Sequence, residues 1–219
     1  MKYRFQWGAV WKVWPELAHG ALITIELTLL SMVLGLLFGI LLALAKRSHR
    51  RPLRFISNSW VEVARNTPAL LQVYLAYFGL GAFGIHLSAW WAVLVAIGFN
   101  NAGYLTEILR GGLQSISPQQ RAAALSLGMH PWQAYSYVVL PQVLRIVFLP
   151  IMNQVVWALL GTSLGMIIGL NDLAGETAIQ QSLTFRPFEF YAVAALVYYV
   201  IAKGIILTAH GLGRRLFRY

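Results

Sequence analysis

Between Leu22 and Ala45 the chain reads LITIELTLLSMVLGLLFGILLALA, with one ionisable side chain, Glu26, and no proline. A helix of roughly 20 apolar residues crosses a bilayer core, so this run constrains the fold more than any other segment. Four further segments reach that length: Ile56 to Leu80, whose first half is polar, Ala89 to Leu109, Ile146 to Leu170 and Phe190 to Leu212. The expectation is an all-α integral membrane protein, one transmembrane domain over residues 1–219 with five transmembrane helices. Composition agrees: 11% of residues are charged, against about a quarter in soluble domains.

Five crossings place the termini on opposite sides, and the basic residues choose the side. KRSHRRPLR (Lys46 to Arg54) holds five basic residues and no acid, Arg110 to Arg145 adds three, and the tail RRLFRY another three. The other side holds only Lys2, Arg4, Lys12 and Arg186, interspersed with Glu16, Asp172, Glu176 and Glu189. The positive-inside rule then sets the N-terminus outside and the C-terminus inside. The net charge of +10 is thereby explained by topology and contact with anionic lipid, and nucleic acid is not an expected partner. Ala43 to Ala45 resembles a signal-peptidase site, but the apolar run before it is too long and the positive cluster follows it, so the span is expected to stay uncleaved. Trp7, Trp11 and Trp14 recur at helical spacing within residues 1–19, as in a short amphipathic segment lying in the outer interface.

Several chemistries are excluded. The chain has no cysteine, so it has no disulfide or thiol chemistry. Its histidines, His19, His49, His86, His130 and His210, are scattered, with no H-E-x-x-H, no G-x-S-x-G and no paired carboxylates. No catalytic residue and no metal site are expected. Without a G-x-x-x-x-G-K-[ST] loop the chain does not bind ATP in the Walker manner, so any energy must come from elsewhere.

The stretch SPQQRAAALSLGMHPWQAYSYVVLP, Ser117 to Pro141, falls on the cytoplasmic side between two spans. Ser117 followed by Pro118 is a helix N-cap with proline at the first helical position. Gly128 is placed to end that helix in the left-handed conformation. His130-Pro131 starts a second helix, and Pro141 marks a break or kink. The expectation is helix, turn, helix, with Ala122, Ala123 and Ala124 offering a face of little bulk to another protein.

The spacing from Ala122, Ala123 and Ala124 through Gly128 to Val138, Leu140 and Pro141 resembles the EAA loop of permease subunits in ATP-binding-cassette importers. VARNTPALLQ (Val63 to Gln72), TEILRGGLQSIS (Thr106 to Ser117), LPQVLRIVFLPIMNQ and GTSLGMIIGLNDLAGET resemble further motifs of the polar amino-acid branch, in the family's order from about Thr24 to the C-terminus. The resemblance implies a type I importer permease fold and a multi-pass protein of the bacterial inner membrane. It also implies four partners: an ATPase subunit that holds ATP and magnesium, a second permease subunit (identical or paralogous), an extracytoplasmic amino-acid-binding protein, and lipid. No cofactor is expected on this chain. Ser117 to Pro141 would dock in a groove of the ATPase. Two departures stand out: the family's acidic residue at the head of the loop is Ala122 here, and its frequent Lys-Asp before TSL is Leu160-Gly161. The competing reading, an ion-gradient-driven secondary transporter, fits poorly with five spans, since such folds usually pair internal repeats within one chain.

Glu62 with Arg65, and Glu107 with Arg110, stand at i, i+3 spacing near cytoplasmic span ends and are expected to pair locally. Glu26 has no basic neighbour at helical spacing, which makes it a translocation-path candidate. Asn100, Asn101, Asn153, Gln154, Thr162 and Ser163 could line the path or hydrogen-bond between helices; both readings stand at this point.

Overall fold

A computed structural model describes residues 3–217, and those residues form a bundle of helices. The helices are α1 (Gly8–Lys12), α2 (Trp14–Lys46), α3 (Arg51–Asn66), α4 (Ala69–Tyr74), α5 (Ala89–Gln114), α6 (Pro118–Ser126), α7 (Pro131–Gln133), α8 (Leu140–Gly161), α9 (Leu173–Thr184) and α10 (Pro187–Leu216). Among the described residues, four helical stretches are long and apolar enough to cross a membrane: Trp14–Lys46, Ala89–Gln114, Pro131–Ile168 and Pro187–Leu216. Ala69–Phe83 is apolar but shorter.

Helices α2 and α5 form the central pair, and small residues let them meet closely. A Cβ at Gly35 would stand 2.5 Å from Asn101 Cβ. On the other side of α5, a Cβ at Gly103 would stand 2.5 Å from Ala64 Cβ of α3. Burial at these seams is near complete for Leu27, Ile97 and Leu105, which form the main core with Val73, Val93 and Ala158. A second cluster, Val10, Leu17, Leu173, Phe190 and Ala194, fastens α1 and α9 to one end of the bundle. A third, Val139, Val143 and Val147, sits at the opposite end.

The segment read as one span, Ile56 to Leu80, is divided. Thr67 (φ −114°, ψ 145°) and Pro68 (φ −61°, ψ 132°) are extended, so α3 ends at Asn66 and α4 starts at Ala69. Proline pushes its predecessor out of the helical region and carries no N–H. Backbone groups freed at such a break must be satisfied from within the protein. Here Gln72 Nε2 donates to Ala64 O (3.1 Å) and Thr67 O (3.3 Å), and Asn100 Nδ2 also donates to Ala64 O (2.9 Å). After α4 a π-type turn (Leu75–Gly79) and a 3₁₀ turn (Leu80–Phe83) complete the segment.

Of the break or kink expected at Pro141, the break does not occur. A π-type turn over Ala134–Val139 directly precedes it and widens the hydrogen-bond spacing, so the helical path runs on from Pro131 through α8. The three tryptophans are exposed and Trp11 and Trp14 lie 5.7 Å apart, although α1 and α2 are separated at Val13.

Candidate functional site

The Ser117–Pro141 insert is a helix-turn-helix capped at both helix starts. Ser117 Oγ accepts the Gln119 N–H at 3.3 Å, capping α6 with Pro118 in its first turn. Gly128 adopts φ +84°, and the turn closes through Gly128 N to Leu125 O (3.0 Å) and Met129 N to Ala124 O (3.2 Å). A reciprocal cap starts the second helix: His130 Nδ1 accepts from Trp132 N (3.4 Å) while Gln133 Oε1 accepts from His130 N (2.9 Å). The three alanines do not share one face. Ala124 is buried while Ala122 and Ala123 are exposed, because consecutive helical residues are rotated by roughly 100°.

The outward surface of the insert carries large apolar side chains among polar ones such as Gln120, Arg121 and Gln133. Leu127 is 85% exposed, Trp132 70% and Tyr137 71%. These residues were not singled out by sequence reasoning, since an isolated Leu or Trp in a loop carries no spacing signal. Val138 is half-buried, and Leu140 is exposed at the start of α8. Between the insert and the bundle lies a cleft of about 410 Å³, lined by Arg47, Ser117, Arg121, Ala122 and Tyr135 among others. Arg47 Nη1 donates to Tyr135 Oη (3.4 Å), which ties the basic α2–α3 loop to the insert.

One carboxylate organises the same end of the bundle. Glu107 Oε1 meets Lys46 Nζ at 2.7 Å, and its Oε2 meets Arg110 Nη2 at 2.6 Å and Nε at 2.8 Å. Arg65 Nη1 approaches Oε2 to 4.0 Å and its guanidinium stands 5.4 Å from the Tyr104 ring centroid. The expected Glu107–Arg110 pair is therefore present within a larger cluster. The expected Glu62–Arg65 pair does not form among the described residues: Arg65 turns to the cluster on α5, where aromatic and anionic partners are both in reach, and Glu62 stays exposed.

The translocation-path candidates separate into two groups. Asn100, Asn101, Gln154 and Thr162 are buried and bound between helices. Gln154 Nε2 donates to Asn101 Oδ1 (2.9 Å), Asn101 Nδ2 to Ser31 Oγ (3.4 Å), and Asn100 Nδ2 to Gln72 Oε1 (3.0 Å). Asn100 Oδ1 has no hydrogen-bond partner among the described residues. Glu26 and Asn153 are exposed on α2 and α8, Ser163 is half-buried, and Glu26 has no ion-pair partner among the described residues.

Two acids counted only for topology turn out to be hubs at the other end of the bundle. Asp172 is fully buried at the N-cap of α9, where Oδ1 accepts from Gly175 N (3.0 Å). Its Oδ2 accepts from Thr24 Oγ1 (3.3 Å), Thr162 Oγ1 (3.1 Å) and Tyr198 Oη (3.3 Å), joining α2, the turn after α8, and α10. Burial pushes this carboxyl above the usual carboxylate range, and the Gly175, Thr162, Thr24 and Tyr198 hydrogen bonds oppose that rise. The N-cap was legible as Asp before an apolar helix start; the three hydroxyls, distant in sequence, were not. Glu189, also buried, receives the Tyr3 hydroxyl and Gln6 N (2.8 Å) and lies 3.6 Å from Arg186.

The family described as binding-protein-dependent transport system inner membrane component matches residues 35–217. The chain belongs to that family. Among its relatives, the arginine transport system permease protein ArtQ of Bacillus subtilis (strain 168) is 32% identical over 198 residues, covering 90% of each chain. The glutamine transport system permease protein GlnP of Escherichia coli (strain K12) is 32% identical over 215 residues, covering 97% of this permease and 98% of that protein. A crystal structure described as an amino acid ABC transporter with histidines is similar with a TM-score of 0.91 at 33% identity, covering 97% of this permease and 100% of that chain. An inward-facing MetNI methionine ABC transporter shares the fold, with a TM-score of 0.73 at 16% identity over 91% of this permease and 95% of that chain. The permease is thus an all-helical, multi-pass membrane protein with an ABC-importer permease fold.

Proposed function

We propose that this permease is the membrane subunit of an ATP-binding-cassette importer of polar amino acids, without catalytic activity of its own. The observation that carries the reading is the Ser117–Pro141 insert, a capped helix-turn-helix with Leu127 and Trp132 exposed at its tip. An element of this kind can transmit closure of a partner to a two-state membrane domain. The partner is an ATPase subunit that binds ATP and magnesium; this chain binds no cofactor. A second permease subunit, identical or paralogous, completes the path, and an extracytoplasmic binding protein delivers the amino acid. The arginine and glutamine relatives and the amino-acid transporter of similar structure support that substrate class.

Five crossings of the bacterial inner membrane, N-terminus outside and C-terminus inside, fit this reading. The second crossing is the pair α3 and α4 with its following turns, broken at Pro68. The basic α2–α3 loop, the Glu107 cluster and the insert then lie in the cytoplasm, while α1, α9 and Asp172 lie at the outer end. Glu26, Asn153 and Ser163 face out of this chain and are the path candidates that a second subunit would enclose. Asn100, Asn101, Gln154 and Thr162 hold helices together at its flank.

The test is reconstitution with the ATPase and the binding protein in liposomes. Uptake of labelled polar amino acids should require ATP inside and the ATPase subunit. Uptake that persists without the ATPase and follows a proton gradient would overturn the proposal in favour of a secondary transporter.

A further inference from the structure

The cleft of about 410 Å³ between the insert and the bundle takes a cation from each side, Arg47 from the end of α2 and Arg121 from α6. Leu113, Leu125 and Val139 give it apolar walls. The segments that line it hold nothing to neutralise those cations: the sequence has no acid from Leu27 to Val61, nor from Ile108 to Asn171. Among the described residues Arg121 has no ion-pair partner. Arg47 is met only by the Tyr135 hydroxyl, which accepts from its Nη1 at 3.4 Å and keeps its own proton to donate. A second cavity, about 370 Å³, adjoins the first and shares Arg47 and Leu113 with it. Its other cations, Lys46 and Arg110, are already engaged by Glu107 at 2.7 and 2.6 Å. Among the described residues that carboxylate pairs with neither Arg47 nor Arg121.

We propose that this cleft binds a phosphate group, which joins Arg121 to Arg47 and so braces the insert against the bundle. Guanidinium forks match the oxygens of phosphate and carboxylate alike. Here, however, the donors come from three elements: the end of α2, α6, and the π-type turn that holds Tyr135. A tetrahedral group presents oxygens in several directions, whereas a carboxylate presents two in one plane. The volume leaves room beside the phosphate for the organic part of an ester, against Leu113, Leu125 and Val139. Two sources carry that chemistry at a cytoplasmic membrane surface, a lipid headgroup and a soluble phosphate. The cytoplasmic location, and the value of bracing the insert, rest on the importer reading above; the ligand chemistry rests on the cleft alone.

The chain has no cysteine, so Leu125→Cys puts a single thiol of the permease at the wall of the cleft. In the permease–ATPase complex, labelling of this chain by a neutral thiol reagent is followed by intact mass. In detergent, inorganic phosphate should slow labelling relative to chloride of equal ionic strength if the source is soluble. In nanodiscs, phosphatidylglycerol should slow it relative to a phosphate-free glycolipid if the source is a headgroup. Protection in either arm supports the proposal and identifies the source. The phosphate concentration or phosphatidylglycerol fraction that half-protects should rise about threefold in Arg47→Gln or Arg121→Gln, and about tenfold in the double variant. Ala122→Glu should place a carboxylate in the cleft and abolish protection, and the fold should survive because Ala122 is exposed. No protection in either arm, or protection unchanged in the double variant, overturns the proposal. Labelling is read without transport or ATP hydrolysis, so failure here leaves the importer reading standing. Failed ATP-dependent uptake with protection intact would count against that reading alone.

Discussion

Gln72 reaches back across the Pro68 break and donates to Ala64 O at 3.1 Å, the carbonyl that Asn100 also binds at 2.9 Å. Two side-chain amides thus replace the backbone donors that a continuous helix would have supplied. Inside an apolar bundle an unsatisfied carbonyl has no water to turn to, so this small motif makes the broken helix tolerable.

Gln72→Leu should therefore destabilise the permease although it adds apolar surface. Asn100 would keep Ala64 O satisfied but lose its contact with Gln72 Oε1, and Thr67 O would lose a donor. The expected cost is about 1–3 kcal/mol, seen as a lower Tm in detergent. Asn100→Leu with Gln72→Leu should cost more than either alone, because only then is Ala64 O deprived of both amides.

Among the described residues, Glu107 is the one carboxylate paired with Lys46, Arg65 and Arg110. Glu107→Gln should leave three cations facing one another and separate the end of α2 from α5. The side chains are partly exposed, so the thermal destabilisation should be about 1 kcal/mol and should shrink as salt is raised. Lys46→Met in the Glu107→Gln background should restore part of the loss; a double variant no better than the single one would contradict the role of repulsion.

Gly128 stands at φ +84° with open space around its missing side chain. Gly128→Val should strain the turn by about 1–2 kcal/mol without a packing clash, and Gly128→Asn should be milder. In reconstituted complexes the valine variant should transport fewer amino acids per ATP hydrolysed while its spans remain folded. A wild-type ratio in that variant would remove the turn from the coupling route.

Asp172 ties α9 to three other elements, and Asp172→Ala should cost about 1–3 kcal/mol through loss of the cap and of acceptors for three hydroxyls. Its pH dependence has a definite sign. Burial raises the folded-state pKa, so its stabilising contribution is full below the unfolded carboxylate value and is lost as pH rises through the raised one. The Tm difference between wild type and Asp172→Asn should therefore fall with rising pH. A difference that grew with pH would show the hydrogen bonds outweighing burial.

What the amino-acid order determined was whatever depends on local spacing. Among the described residues apolar runs gave four helices long enough to cross a membrane, and Ser117-Pro118 and Gly128 gave the start and stop of α6, where each cap lies within a few residues of the group it satisfies. The Glu107–Arg110 pair was legible for the same reason. Only the tertiary structure decided which partners prevail over distance. Arg65 prefers the Glu107 cluster and Tyr104 to Glu62, and Asn100 serves a carbonyl on another helix. Asp172 gathers hydroxyls from Thr24, Thr162 and Tyr198. Inside a bundle a polar group takes the best-aligned partner that packing brings near, and helix seams set by Gly35 and Gly103, not sequence spacing, determine what is near.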